Sequence, residues 1–175
     1  MKLVFVILMS LMSTLSFASS RDAELFGDYN GDGIQDFYLF YYDDYAGVYQ
    51  LWAFVDEPYI QDLHLANFAP EVPWEYARLG DFNGDGASDF VVFDPRVGSG
   101  HFWVTIAKPG NRRRPASTPR LWGVSGSNGF SKVKVRDINR DGKDDLVVRL
   151  NGQDWVYISN GRKFSVPQLL QNVRR

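Results

Sequence analysis

One nine-residue loop, written three times, constrains this chain more than any other feature. The copies are Asp28-Tyr29-Asn30-Gly31-Asp32-Gly33-Ile34-Gln35-Asp36, Asp81-Phe82-Asn83-Gly84-Asp85-Gly86-Ala87-Ser88-Asp89 and Asp137-Ile138-Asn139-Arg140-Asp141-Gly142-Lys143-Asp144-Asp145. Each places oxygen-bearing side chains at loop positions 1, 3, 5 and 9, and glycine at position 6. Alternate residues of a tight loop can aim carboxylates inward, and the glycine takes a bend that a Cβ would obstruct. The carbonyl of position 7 (Ile34, Ala87 or Lys143) adds a backbone oxygen. An all-oxygen set of carboxylates, one amide and one carbonyl suits a hard divalent cation. It suits Ca²⁺ better than Mg²⁺, which prefers to keep its waters. The competing reading is three Asn/Asp/Gly turns with no ion, since these residues favour turns in any case. It leaves the clustered carboxylates of each loop uncompensated.

The loops are not halves of an EF-hand. That motif needs a glutamate at position 12 and flanking helices. Position 12 is Leu39, Val92 and Val148 here, and each loop is followed by an apolar run of strand type.

The copies recur at intervals of about 55 residues, a period that suits four-stranded blades or arrays. Every unit reads in the same order. A short strand precedes the loop (Leu25–Gly27, Arg78–Gly80, Val133–Arg136), and an apolar strand follows it (Asp36–Tyr42, Asp89–Phe93, Asp145–Arg149). A third strand is expected at Val48–Val55, His101–Ala107 and Trp155–Ser159. A fourth is expected at Ile60–Phe68 and Arg120–Val124 and, in the last unit, somewhere within Lys163–Val173. In the strand after each loop both faces are apolar: Phe37, Leu39 and Tyr41 oppose Tyr38, Phe40 and Tyr42, and Phe90 and Val92 oppose Val91 and Phe93. Such strands are expected to be covered on both sides, as in stacked sheets. Trp52, Trp103 and Trp155 recur on the third strands and are read as packing between adjacent sheets.

With 45% apolar and 15% aromatic residues in 175, the chain can build one core of ordinary size, and its aromatic content favours strands. A formal net charge of −2 supplies no global attraction for nucleic acid or membrane. Lys2, the apolar run Leu3–Leu15 and the small residues of Ser16-Phe17-Ala18 read as a signal peptide cleaved between Ala18 and Ser19. An uncleaved anchor is the alternative. The predicted location is therefore secreted or periplasmic, with residues 19–175 a single domain of units at about 23–70, 76–125 and 131–175. There is no cysteine, which rules out disulfides and thiol chemistry and leaves bound metal as one way to staple an exported domain.

Two segments stand outside the repeat. Glu57–Tyr76 joins the first two units through several prolines. Lys108–Arg120 carries five positive charges and three prolines, and reads as a solvated surface loop or as a docking loop for an acidic partner.

The pattern Gly-Asp-x-Asn-Gly-Asp-Gly-x-x-Asp-Phe after a short strand resembles the FG-GAP or VCBS repeat of integrin-alpha-like β-propellers and many exported bacterial proteins. The match is close at 25–42 and 78–93 and looser at 133–149, where Arg136 and Arg140 stand in place of glycine. The resemblance implies an all-β fold of three four-stranded, blade-like antiparallel sheets, with up to three Ca²⁺ in the loops between first and second strands. The metal-holding residues would be Asp28, Asn30, Asp32, Ile34, Asp36, Asp81, Asn83, Asp85, Ala87, Asp89, Asp137, Asn139, Asp141, Lys143 and Asp145. Closed propellers have about four to eight blades. Three blades imply an open arc, a pseudo-threefold packing, or a homo-oligomer that completes the ring.

The resemblance implies no single activity. Neither histidine, His64 or His101, sits in a catalytic or zinc motif, and Gly123-Val124-Ser125-Gly126-Ser127 fails the nucleophile-elbow pattern. Asp43, Asp44, Asp56 and Glu57 read as turn residues rather than as a glycosidase pair. The expected function is non-catalytic, a calcium-binding module for another macromolecule, first of all a protein. The alternatives are a carbohydrate-binding module stacking sugars on Trp74, Trp122 or exposed tyrosines, a periplasmic inhibitor or immunity protein and, last, a hydrolase. Neither a nucleic acid partner nor a membrane span is expected.

Overall fold

The computed structural model describes residues 21–56, 60–96, 100–110, 117–127 and 129–173. The expected signal peptide and its cleavage point lie outside these residues, as does the Arg112–Arg114 run.

Among the described residues twelve strands form three antiparallel sheets of four, each a simple up-and-down meander. The first sheet contains β1 (Ala23–Gly27), β2 (Asp36–Asp43), β3 (Val48–Asp56) and β4 (Ile60–Phe68). The second contains β5 (Arg78–Gly80), β6 (Asp89–Asp94), β7 (His101–Thr105) and β8 (Arg120–Val124). The third contains β9 (Lys132–Arg136), β10 (Asp145–Leu150), β11 (Gln153–Tyr157) and β12 (Gln168–Leu169). The loop of each unit closes its first hairpin in the same register, pairing Gly27 with Asp36, Gly80 with Asp89 and Arg136 with Asp145.

Period-two alternation sends one face of every strand toward each neighbouring sheet. Tyr38, Phe40, Leu51 and Ala53 of the first sheet pack against Phe90 and Val92 of the second. From the opposite face of the second sheet, Val91, Phe93, Phe102 and Val104 pack against Val133, Leu146, Val148 and Tyr157 of the third. A small third cluster, Ile138, Val147 and Val156, lies on the far side of the third sheet under Leu170 and Val173. Among the described residues no core cluster joins the first sheet to the third, so the three form an open arc. β1 lies beside β5 and β5 beside β9, with the first strand of each sheet on the inner side.

Several expectations are corrected. β6 is buried on both faces, but of the apolar residues of β2 only Tyr38 and Phe40 are buried, while Phe37, Leu39 and Tyr41 are half-exposed. Among the described residues no sheet precedes the first one, and the apolar face that would meet it is half-exposed. For the same reason Trp52 is not packed between sheets. It stands on that open face with its ring 5.1 Å from His64, whereas Trp103 and Trp155 pack against the two inter-sheet cores. In the last unit the third strand is Gln153–Tyr157, earlier than expected, and the fourth is only Gln168–Leu169 before a 3-10 turn at Leu170–Asn172. No helix among the described residues is long and apolar enough to cross a membrane.

Candidate metal loops and the junctions between sheets

The three loops are built alike. The position-1 carboxylate turns over the loop and accepts backbone amides. Asp28 takes those of Gly31 at 2.7 Å, Asp32 at 3.1 Å and Gly33 at 2.7 Å. Asp81 accepts from Gly84, Asp85 and Gly86, and Asp137 from Arg140, Asp141 and Gly142. Asn30, Asn83 and Asn139 at position 3 accept the position-5 amide through Oδ1. Asp32, Asp85 and Asp141 accept the amides of Ile34, Ala87 and Lys143. These are Asx-type turns repeated within one loop. They require left-handed backbone at position 4 as well as position 6, with φ of 75° and 84° at Gly31 and Gly33. The third loop achieves the same bend with Arg140 at φ 63°, a conformation that costs a side-chain-bearing residue more than glycine.

Position 9 is the anchor. Asp36, Asp89 and Asp145 are all buried. Each accepts the position-2 amide, Tyr29 at 2.8 Å, Phe82 at 3.1 Å and Ile138 at 3.0 Å, which ties the loop's end to its start. Asp89 and Asp145 also reach into their own units, to the amides of Ala107 and Ser159. Burial raises the Asp89 carboxyl to about 8, and the charges of Asp85 and Asp81 add to the rise while its backbone partners oppose it. Burial raises Asp145 and Asp144 as well.

Among the described residues no three acidic or histidine side chains converge as a metal-holding group, because these carboxylates face their own loop amides. The donor chemistry nonetheless fits a hard cation. Every candidate ligand is an oxygen, a carboxylate oxygen has lone pairs beyond those given to amides, and Asp89 is a buried acid beside two others with no cationic partner.

The sequence reading missed position 8. Ser88 Oγ accepts the amide of Asp28 at 3.0 Å, and the Ser88 amide donates to the Asp28 carbonyl at 2.5 Å. One unit later, Asp144 Oδ2 accepts the amide of Asp81 at 2.9 Å, and the Asp144 amide donates to the Asp81 carbonyl at 2.7 Å. Position 8 of each loop thus docks on position 1 of the loop before it. The glycine ahead of position 1 makes room for this. A Cβ on Gly27 would sit 2.9 Å from Leu79 Cδ1, and one on Gly80 would sit 2.4 Å from Val135 Cγ1. The hint was legible, in that position 8 holds polar Ser88 and Asp144 in the two units that have a predecessor.

The Lys108–Arg120 segment is not simply an excursion. The Gly110 amide donates to the carbonyl of Asn30 at 2.9 Å, seating the start of the segment on the first loop. Of the aromatic residues proposed to stack sugars, Trp122 is buried against Phe82 and Phe164, and Trp74 packs against the first inter-sheet core. His64 is an exposed strand residue bonded to Asn67, and His101 opens β7. A concavity of about 440 Å³ lies between the second and third units and includes Tyr76, Arg78, Phe130 and Lys132.

No curated protein matches this chain. A solved structure of an Agrocybe aegerita lectin, reported for its specific recognition of non-reducing terminal N-acetylglucosamine, superposes with a TM-score of 0.63 at 18% identity. The superposition covers 85% of this chain and 38% of the lectin chain, so this chain spans well under half the length of that structure. At that identity the likeness concerns the fold. Residues 81–148, from the second loop through most of β10, match the FG-GAP-like repeat. Residues 81–148 thus carry an FG-GAP-like repeat, and the first unit restates the loop, register and strand order of the matched segment.

Proposed function

We propose that this is a non-catalytic binding module, exported from the cell and braced by Ca²⁺, that presents a rigid arc of sheets to another macromolecule. The observation that supports this best is the identity of the three loops. The same side chains hold the same bends at the start of every second strand, and the second and third loops each dock on the one before. A bound divalent cation would neutralise the clustered carboxylates of a loop. Asp28, Asn30, Asp32, Asp36 and the Ile34 carbonyl would hold it in the first loop, with the matching residues in the other two. The position-9 aspartates would join the site to the core. Ligand bound only by the folded state adds stability as its concentration exceeds the dissociation constant.

The test is thermal unfolding of the full chain with millimolar calcium and with excess EDTA. Chelation is expected to lower Tm by several degrees, and added calcium to restore it. An unchanged Tm would remove the metal from this reading.

The partner on this reading is a protein, captured by affinity isolation from the exported fraction. One place favours a glycan instead. On the open face of the first sheet, the Gln50 amide is held between Trp52 Nε1 at 2.8 Å and Asp43 Oδ2 at 2.5 Å, beside the Tyr41 hydroxyl and the exposed His64. Aromatic rings beside oriented amide and carboxylate groups match the alternating C–H and hydroxyl surfaces of a sugar. A glycan array separates the two readings.

A further inference from the structure

The outer face of the third sheet differs from the corresponding faces of the other two. In the first sheet this face carries Leu25 and Tyr38, in the second Arg78 and Val91, and the next sheet covers it. In the third sheet the equivalent pair is Lys134 and Val147. Lys132, Lys134 and Arg136 alternate along β9 and therefore share this face, with Arg149 of β10 opposite Lys132. They border a cleft of about 220 Å³ floored by Ile138, Val147 and Leu170. Its only acid is Asp154, which Arg149 already holds at 2.8 Å. Among the described residues the three β9 cations form no ion pair.

A fourth sheet cannot stack here as the second and third do. Gly27 and Gly80 leave room for the next unit's first strand, and the residue at that position in the third unit is Arg136. The C-terminal turn already covers Val147 and Val156 through Leu170 and Val173. The face is thus closed to a further blade and lined with cations.

We propose that this face is a binding surface for a linear anionic polysaccharide, its sulfate or carboxylate groups engaging Lys132, Lys134, Arg136 and Arg149. The cations of β9 stand about 6.5–7 Å apart along a straight strand, which suits a chain with charges at regular intervals. The cleft offers no aromatic ring on which a base could stack, which disfavours single-stranded nucleic acid. The net charge of −2 gives the whole chain no attraction for polyanions, so any such affinity must come from a local patch.

The experiment measures binding of the full chain to dextran sulfate and to polygalacturonate, which separate the sulfate from the carboxylate source. Uncharged dextran, duplex DNA and polyglutamate serve as comparators. Binding to one or both anionic polysaccharides, and not to uncharged dextran, is expected. It should weaken roughly tenfold or more in the K132Q/K134Q/R136Q variant and fall with added salt. Because these side chains are exposed or paired to nothing, the variant's Tm should match that of the parent. R112Q/R113Q/R114Q should bind as the parent does. The proposal is overturned by absence of binding, by a β9 variant that binds unchanged, by loss confined to the Arg112–Arg114 variant, or by equal binding of DNA or polyglutamate at matched charge. None of these outcomes depends on calcium, so the bracing role of the loops stands or falls separately.

Discussion

Phe37 and Phe90 occupy the same place in two copies of one motif, directly after the position-9 aspartate and in the same register of the hairpin. Phe90 is 1% exposed and packs against Phe40 at 5.2 Å and Phe68 at 5.7 Å between ring centroids. Phe37 is half-exposed, with only Phe26 and Phe54 of its own sheet beside its ring, each at 5.5 Å. Nothing in the local sequence distinguishes the two. The difference is that Phe90 faces a preceding sheet and Phe37 does not. Burial in this fold is assigned by the neighbouring unit, and among the described residues the first and third sheets each present one face that no further sheet covers.

That contrast can be broken by substitution. The largest effect is expected for Phe90→Ala against Phe37→Ala. Removing a fully buried phenylalanine costs about 3–5 kcal/mol, and the half-exposed counterpart should cost a fraction of that, about 1 kcal/mol. Urea unfolding of both variants measures the gap, and equal losses would mean that the open face is covered in solution. Next comes the glycine ahead of each loop. Gly80→Ala drives a Cβ into Val135 and should destabilise by about 1–3 kcal/mol. Arg136→Ala, at the same position of the last unit, should change stability by no more than about 0.5 kcal/mol. The smallest effect sharpens the junction itself. Ser88→Ala leaves the Asp28 amide without its acceptor and should cost about 1 kcal/mol. Gln35→Ala, the position-8 residue with no preceding loop, should be neutral within about 0.5 kcal/mol.

The contrast also shows why some features could be read in advance and others could not. The loops were legible because their determinants are local. Asp28 bonds to amides three to five residues away, and Asp36 closes on Tyr29, all within a single nine-residue stretch. The strands beside them followed from alternation and the repeat. Trp52 was misplaced because its motif matches that of Trp103, and only the missing neighbour separates them. The last strand could be placed within Lys163–Val173 but not bounded there, because Ser165, Val166 and Pro167 carry no pattern; among the described residues a two-residue pairing of Trp155 and Val156 with Leu169 and Gln168 forms. The docking of position 8 on position 1 was overlooked because it links residues 60 and 63 apart in sequence.

The amino-acid order by itself determined three hairpins closed by oxygen-rich loops, their spacing, and the four-stranded unit that each begins. Short-range hydrogen bonds and a two-residue period suffice for that, since both are settled within one unit. The tertiary structure alone decided that the sheets form an open arc, that Phe37 and Trp52 lie on an uncovered face, and that the β9 cations line a cleft. Each of these depends on what another unit places against the strand, and contact between residues so far apart is a property of the packed molecule rather than of any stretch of chain.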